Sequence, residues 1–178
     1  MKEHLKPLIT EDEIRIRNQK VVYEIANDID GNELLVIGLL KGSFMFLADL
    51  VRLMHLHDMR LLIDFMIVSS YGAQTQSTGE VKILRDVSVP IEGKNVLVID
   101  DILDSGRTLS TVSEYLKQYN PSLLKSCVLL DKPERREIPF KADFVGFEIP
   151  NEFVVGYGLD YDGRYRELPS IFTIDFEE

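Results

Sequence analysis

The chain has a single cysteine, Cys127. One thiol can make neither an intramolecular disulfide nor a cysteine-based zinc site. Positive charge is also scarce: 20 Lys and Arg stand against 30 Asp and Glu, for a net charge of -10. Duplex nucleic-acid binders carry a basic footprint, so no nucleic-acid partner is expected. No apolar run approaches the ~20 residues that a membrane span needs. The longest, Leu34 to Leu40, is strand-sized. Met1 to Thr10 is polar and lacks the apolar centre of a signal peptide. These absences predict a cytoplasmic protein with no membrane partner. There is no internal repeat, low-complexity tract or flexible linker. A Walker A phosphate loop is missing, and so is the dinucleotide-binding glycine triplet, since Gly156-Tyr157-Gly158 lacks a third glycine.

What is present is ordinary globular composition, 45% apolar and 28% charged over 178 residues. That length suits one domain, residues 1–178, able to bury roughly 70% of its unfolded surface. Thr10 and Glu13 form a capping box, and Ile14, Val21, Val22, Ile25 and Ile29 recur at helical spacing to about Asp30. Gly42 and Ser43 open a second helix, with Phe44, Leu47, Leu50, Val51 and Met54 on one face. Apolar strands are predicted at Leu34–Leu40, Leu61–Ser69, Val81–Leu84, Asn95–Ile99, Leu123–Leu130, Phe144–Phe147, Phe153–Val155 and Ile171–Ile174. A third helix carries Leu109, Val112, Leu116 and Tyr119 and stops at Pro121. Alternating strands and helices predict an α/β fold with a mainly parallel sheet. Ligands bind such sheets at the carboxyl ends of the strands. Ser70 to Gly79, rich in Gly, Ser, Thr and Gln, has little to bury. It reads either as a mobile functional loop or as a hairpin connection.

The strongest local signal is VLVIDDILDSGRTL, Val96 to Leu109. A buried strand runs into Asp100 and Asp101, and Asp104 then begins a DSGRT turn into a helix. Gly106 lets the backbone approach a ligand closely. The N–H groups of Ser105 to Thr108 sit where a helix N-terminus favours phosphate. Asp100 and Asp101 are suited to sugar hydroxyls or to hydrated Mg²⁺. Asp104 and Ser105 could instead simply cap the helix. Three carboxylates around one strand end, however, repel one another and call for a cation or ligand.

Apolar strand, two acids, two apolar residues, then D-S-G-x-T resembles the phosphoribosyl-pyrophosphate (PRPP) loop of type I phosphoribosyltransferases. LLKGSFMFLADL (Leu39 to Leu50), SSYGAQTQSTGEVKI (Ser69 to Ile83) and DFVGFEIPNEFVVGYGLDYDGRYRELP (Asp143 to Pro169) resemble the hypoxanthine-guanine branch of that family. The resemblance spans about Leu35 to Ile174. It implies the type I fold: a mainly parallel sheet flanked by helices, with a small hood built from the N- and C-terminal segments. It also implies purine salvage. The phosphoribosyl group of PRPP would pass to N9 of hypoxanthine or guanine, giving IMP or GMP and pyrophosphate with Mg²⁺ as cofactor, in a homodimer or tetramer.

The resemblance implies residue roles as well. Ser105, Gly106, Arg107 and Thr108 would bind the 5′-phosphate. Asp100 and Asp101 would contact ribose or its metal, with Asp at the first acidic position where the family often has Glu. Asp104 would be the general acid/base near purine N7. Lys132 would donate to purine O6 and so favour 6-oxopurines over adenine. Phe153 would stack on the base, and Val154 would read its edge through the backbone. Asp160 would associate with the metal near the purine. Arg166 would bind pyrophosphate through its fork, together with Lys41 and Gly42, where the family's peptide before the lysine can be cis. Ser70 and Tyr71 would belong to a loop that closes over the site and excludes water. Without the resemblance, Lys132 reads as a surface lysine, Phe153 to Val155 as core strand, and Asp160 to Arg166 as a charged loop.

His55 and His57 are two apart and share no helix face. Cys127 reads as a core thiol, and Glu134-Arg135-Arg136-Glu137 as a solvated loop. Two other functions compete. A non-catalytic PRPP sensor would need an appended DNA-binding domain or a basic face. A receiver domain would carry its acidic pair near the start of the chain.

Overall fold

The structure is a computed structural model that describes residues 2–29, 33–70 and 81–177. Its order is β1 (Lys2–Ile9), α1 (Glu11–Asp28), β2 (Leu34–Leu40), α2 (Phe44–His55), β3 (Leu61–Ser70), β4 (Val81–Arg85), β5 (Asn95–Leu103), α3 (Arg107–Lys117), β6 (Leu123–Asp131), β7 (Phe144–Glu148), β8 (Val154–Val155) and β9 (Ile171–Glu177). Six strands form one sheet in the order β4-β3-β2-β5-β6-β7. All of its pairs are parallel except β3 with β4. β1, β9 and β8 form a separate antiparallel sheet from the two ends of the chain.

Strand alternation decides which helix covers which face. Leu34 and Val36 of β2 and Leu97 and Ile99 of β5 share a core with α1 and α2, through Ile14, Val21, Val22, Ile25, Phe46, Leu47 and Leu50. Leu35, Ile37, Leu39, Val96 and Val98 point the other way and meet Leu109, Val112 and Leu116 of α3. With both faces covered, the central strands must be apolar throughout, which is why β2 reads as a continuous run. Cys127 is fully buried, and burial pushes its thiol well above the usual range.

The capping box is present. Thr10 Oγ1 accepts from the Glu13 N–H at 3.3 Å, and Glu13 Oε2 accepts from the Thr10 N–H at 2.8 Å. Several boundaries differ from expectation. β1 lies in a segment given no element from sequence. It owes its place to pairing with β9, Leu5 opposite Ile174. β5 does not end at Ile99 but continues through Asp100 to Leu103, with Ile102 opposite Leu130 and Leu103 opposite Asp131 on β6. α3 ends at Lys117, so Tyr119 lies beyond it and is exposed. β8 begins at Val154, which leaves Phe153 outside the strand. Tyr71 and the rest of the expected closing loop to Gly79 lie outside the described residues. Ser70 is the last residue of β3.

Candidate active site

Parallel strands deliver their carboxyl ends to one edge of a sheet, so residues far apart in sequence converge there. β2 and β5 are neighbours. β2 turns through Lys41, Gly42 and Ser43 into α2, and β5 turns through Asp104, Ser105 and Gly106 into α3. Between them opens a cavity of about 780 Å³. It is lined by Leu40 to Gly42, Asp100 to Leu109, Arg135, Glu137, Asp160 and Arg166.

The first turn is tightly built. Ser43 Oγ donates to the Leu39 carbonyl at 2.6 Å, and the Leu40–Lys41 peptide is cis. A Cβ on Gly42 would lie 1.5 Å from Asp101 Oδ2, so the Asp101 carboxylate rests directly on the glycine backbone. The second turn is set by Gly106, with φ +87°, in the left-handed region that glycine enters without penalty. Gly106 is the N-cap of α3 and has no side chain to cap with. Asp104 and Ser105 therefore do not end the helix as ordinary caps, although Ser105 Oγ accepts from the Arg107 N–H at 3.4 Å. The opening N–H groups of α3 have no intrahelical acceptors.

Asp100 and Asp101 are the electrostatic centre. Burial and the neighbouring Asp101 charge push Asp100 well above the carboxylate range, and burial also raises Asp101, opposed in part by the Arg166 charge. Adjacent buried carboxyls cannot both ionise cheaply. Each therefore favours its neutral form more than an exposed carboxyl does, and a cation or donor beside the pair would relieve that. Among the described residues no cluster of three or more acids or histidines forms a ready metal cage. Mg²⁺ ordinarily binds through one or two carboxylates plus substrate oxygens and water, so this donor pair fits it.

Asp160 faces the same cavity but is already engaged. Its Oδ1 pairs with Arg166 Nη2 at 2.7 Å, and its Oδ2 accepts from the Gly163 N–H at 2.7 Å. Arg166 Nη1 also donates to the Gly158 carbonyl at 2.6 Å. Asp104 Oδ1 accepts from Arg135 Nε at 3.1 Å. The Arg107 guanidinium is held by Glu137 at 2.8 Å.

Lys132, Phe153 and Val154 do not line this cavity. Lys132 is no surface lysine: it is buried, burial lowers its ammonium, and the Asp104 charge opposes that shift. Phe153 is exposed, edge-on to Tyr161 with ring centres 5.7 Å apart. Val154 is buried in β8, as the core-strand alternative expects.

Sequence reasoning missed the arm that follows β6. Arg135 reaches Asp104 and Glu137 reaches Arg107. Arg136 is largely buried rather than solvated, in an ion pair with Asp131. The Arg135–Asp104 and Glu137–Arg107 partners are about thirty residues apart, beyond the reach of any local pattern.

A phosphoribosyl transferase domain model matches residues 9–162. The chain belongs to the hypoxanthine(-guanine) phosphoribosyltransferase family. It is 47% identical to a hypoxanthine-guanine phosphoribosyltransferase of Aquifex aeolicus, covering 96% of this chain and 95% of the relative. It is 48% identical to a hypoxanthine phosphoribosyltransferase of Buchnera aphidicola, with both chains covered in full. A crystal structure of a hypoxanthine-guanine phosphoribosyltransferase from Bacillus anthracis superposes with a TM-score of 0.89 at 43% identity, covering 98% of this chain and 100% of that one. The expected type I fold, with its mostly parallel sheet, is what the chain adopts.

Proposed function

We propose that the chain is a purine-salvage enzyme. It transfers the 5-phosphoribosyl group of PRPP to N9 of hypoxanthine or guanine, giving IMP or GMP and pyrophosphate. The observation that carries this reading is the convergence on one cavity of the buried Asp100–Asp101 pair, the N-terminus of α3 and the Lys41-Gly42 turn.

In this reading the N–H groups of Ser105 to Thr108 hold the 5′-phosphate, with the Ser105 and Thr108 hydroxyls beside them. Asp100 and Asp101 hold ribose hydroxyls and Mg²⁺. When bound there, the ion would supply positive charge to offset that of the departing pyrophosphate. Lys41, the Gly42 backbone and Arg166 receive the pyrophosphate, and Asp160 orients Arg166 through their ion pair. Asp104 takes or stabilises the purine proton near N7, and Lys132 donates to O6 beside it. Phe153 stacks on the base and Val154 meets its edge. The β1-β9-β8 sheet serves as the hood, Ser70 begins the closing loop, and the whole chain is one catalytic domain. Charge develops on the ribose as the pyrophosphate departs, so positioning and fixed charge do most of the work. A dimer or tetramer acting in the cytoplasm completes the reading.

The test is a steady-state assay with PRPP and Mg²⁺, offering hypoxanthine, guanine, xanthine and adenine separately. Nucleotide and pyrophosphate should form with hypoxanthine or guanine, vanish with EDTA and be absent with adenine. PRPP binding without turnover of any base would overturn the reading in favour of a ligand sensor.

A further inference from the structure

Arg136 lies beneath the Asp104–Gly106 turn rather than in solvent. Its side chain and that of Asp131, its ion-pair partner, are 16% and 17% exposed. Arg136 Nη1 donates to the Leu103 carbonyl at 3.1 Å and also to the Asp104 carbonyl, while Nη2 meets Asp131. Its stem runs under Gly106, where a glycine Cβ would lie 3.1 Å from Arg136 Cδ and 2.6 Å from the Ile138 carbonyl. The backbone on either side is stitched to the same turn. The Lys132 N–H donates to the Leu103 carbonyl, and the Glu137 and Ile138 N–H groups both donate to the Ser105 carbonyl, each at 3.0 Å.

We propose that Arg136 is a positioning residue for the PRPP loop. Resting on the catalytic reading above, it fixes the carbonyls of Leu103 and Asp104 so that the following N–H groups face the 5′-phosphate and Asp104 faces the purine. The physical reason is the fork. A guanidinium can bind two carbonyls and a carboxylate in one plane, whereas a lysine ammonium is a point donor on a flexible stem. Three successive carbonyls of the turn, those of Leu103, Asp104 and Ser105, are thus bound by one arm. A flexible loop would have to be ordered on binding; this one is already set.

The test compares Arg136→Met, Arg136→Lys and Asp131→Asn with the wild type. Losing charge-assisted bonds to the turn should raise the KM for PRPP about tenfold or more in Arg136→Met and lower kcat. The KM for the purine should change less, because Lys132 keeps its own backbone bond. Arg136→Lys should fall between Arg136→Met and wild type. Asp131→Asn, which leaves the guanidinium in place, should show a smaller rise of about threefold. In Arg136→Gly, added guanidinium ion at non-denaturing concentration should restore part of the PRPP affinity, which a purely structural role would not produce. A PRPP KM within about twofold of wild type in both Arg136→Met and Asp131→Asn overturns the proposal. So does activity lost only in proportion to the folded fraction without guanidinium rescue. Wild-type turnover is read first. If the wild type is inactive, the catalytic reading fails by itself, and the loop's role is then read from the PRPP-dependent rise in melting temperature of each variant.

Discussion

Two places in the same sheet bury carboxylates and treat them in opposite ways. Asp64 on β3 is 8% exposed and Asp100 on β5 is 7% exposed. Asp64 accepts from the Phe65 N–H at 2.8 Å, the Ser88 N–H at 2.6 Å, Ser88 Oγ at 3.0 Å and the Val89 N–H at 3.1 Å. Burial pushes its pKa up, but these bonds outweigh burial and hold it below the usual range. Asp100 accepts from the Asp101 N–H at 3.0 Å but also faces a second carboxyl, and its pKa rises. Both residues are shielded from solvent, but Asp100 lies deeper among protein atoms and meets a second carboxyl where Asp64 meets four donors, so burial and partners together decide. Asp64 is a finished structural joint that pins the segment after β4. The Asp100–Asp101 pair is unfinished until a cation or hydroxyl meets it.

The comparison predicts that changes on the β5 side cost function, while changes at Asp64 cost stability. The largest effect belongs to Asp104. Asp104→Asn should lower kcat about a hundredfold or more, with a smaller change in PRPP affinity, as single-turnover and binding measurements would separate. An equal loss of both would place Asp104 in substrate binding alone. Gly42→Ala comes next. Its methyl would fall on Asp101 Oδ2, so the acid pair or the turn must move. A loss of roughly tenfold or more in kcat/KM for PRPP is expected, with little change in melting temperature.

Asp64→Ala should do the reverse. It strands the donors of Ser88 and Val89 and should cost about 3 kcal/mol, a fall of about 9 °C in melting temperature. KM values should stay near wild type. Because Asp64 is held low, its contribution is present above the ordinary carboxylate range and is lost as pH falls through the lowered value. The smallest effect is at Asp100. Its folded form binds a proton more tightly than the unfolded chain does, so its contribution falls as pH rises from the ordinary carboxylate range through the raised value. Asp100→Asn should therefore raise the melting temperature of the ligand-free protein near neutral pH by about 3 °C, while weakening the Mg²⁺ dependence of turnover. Calorimetry across pH would check both signs.

Much of this was legible in the sequence. Continuous apolar runs mark strands buried on both faces, and the Thr10–Glu13 box marks the start of α1. DSGRT after an acidic pair locates the site because every member lies within nine residues of Asp100. What stayed hidden depended on distant partners. β1 carries Pro7 and few apolar residues, and exists because β9 is there to pair with it. β5 reaches past its two aspartates because β6 continues beside them, whereas hydrophobic pattern alone ends the strand at the first charge. Asp64 gave no signal, since its donors come from Ser88 and Val89. Arg136 gave none either. A guanidinium beneath a turn and one in water look alike in a run of charges.

The most direct test of the central claim is proton release on binding. Binding of Mg²⁺ and PRPP would be measured by titration calorimetry near neutral pH in buffers of different ionisation enthalpy. A carboxyl pair whose hold on protons is raised by burial should release protons when its cation arrives, and Asp100→Asn should reduce that release. Binding of equal strength with no dependence on buffer would contradict the account: the pair would then already be ionised, no different in kind from Asp64.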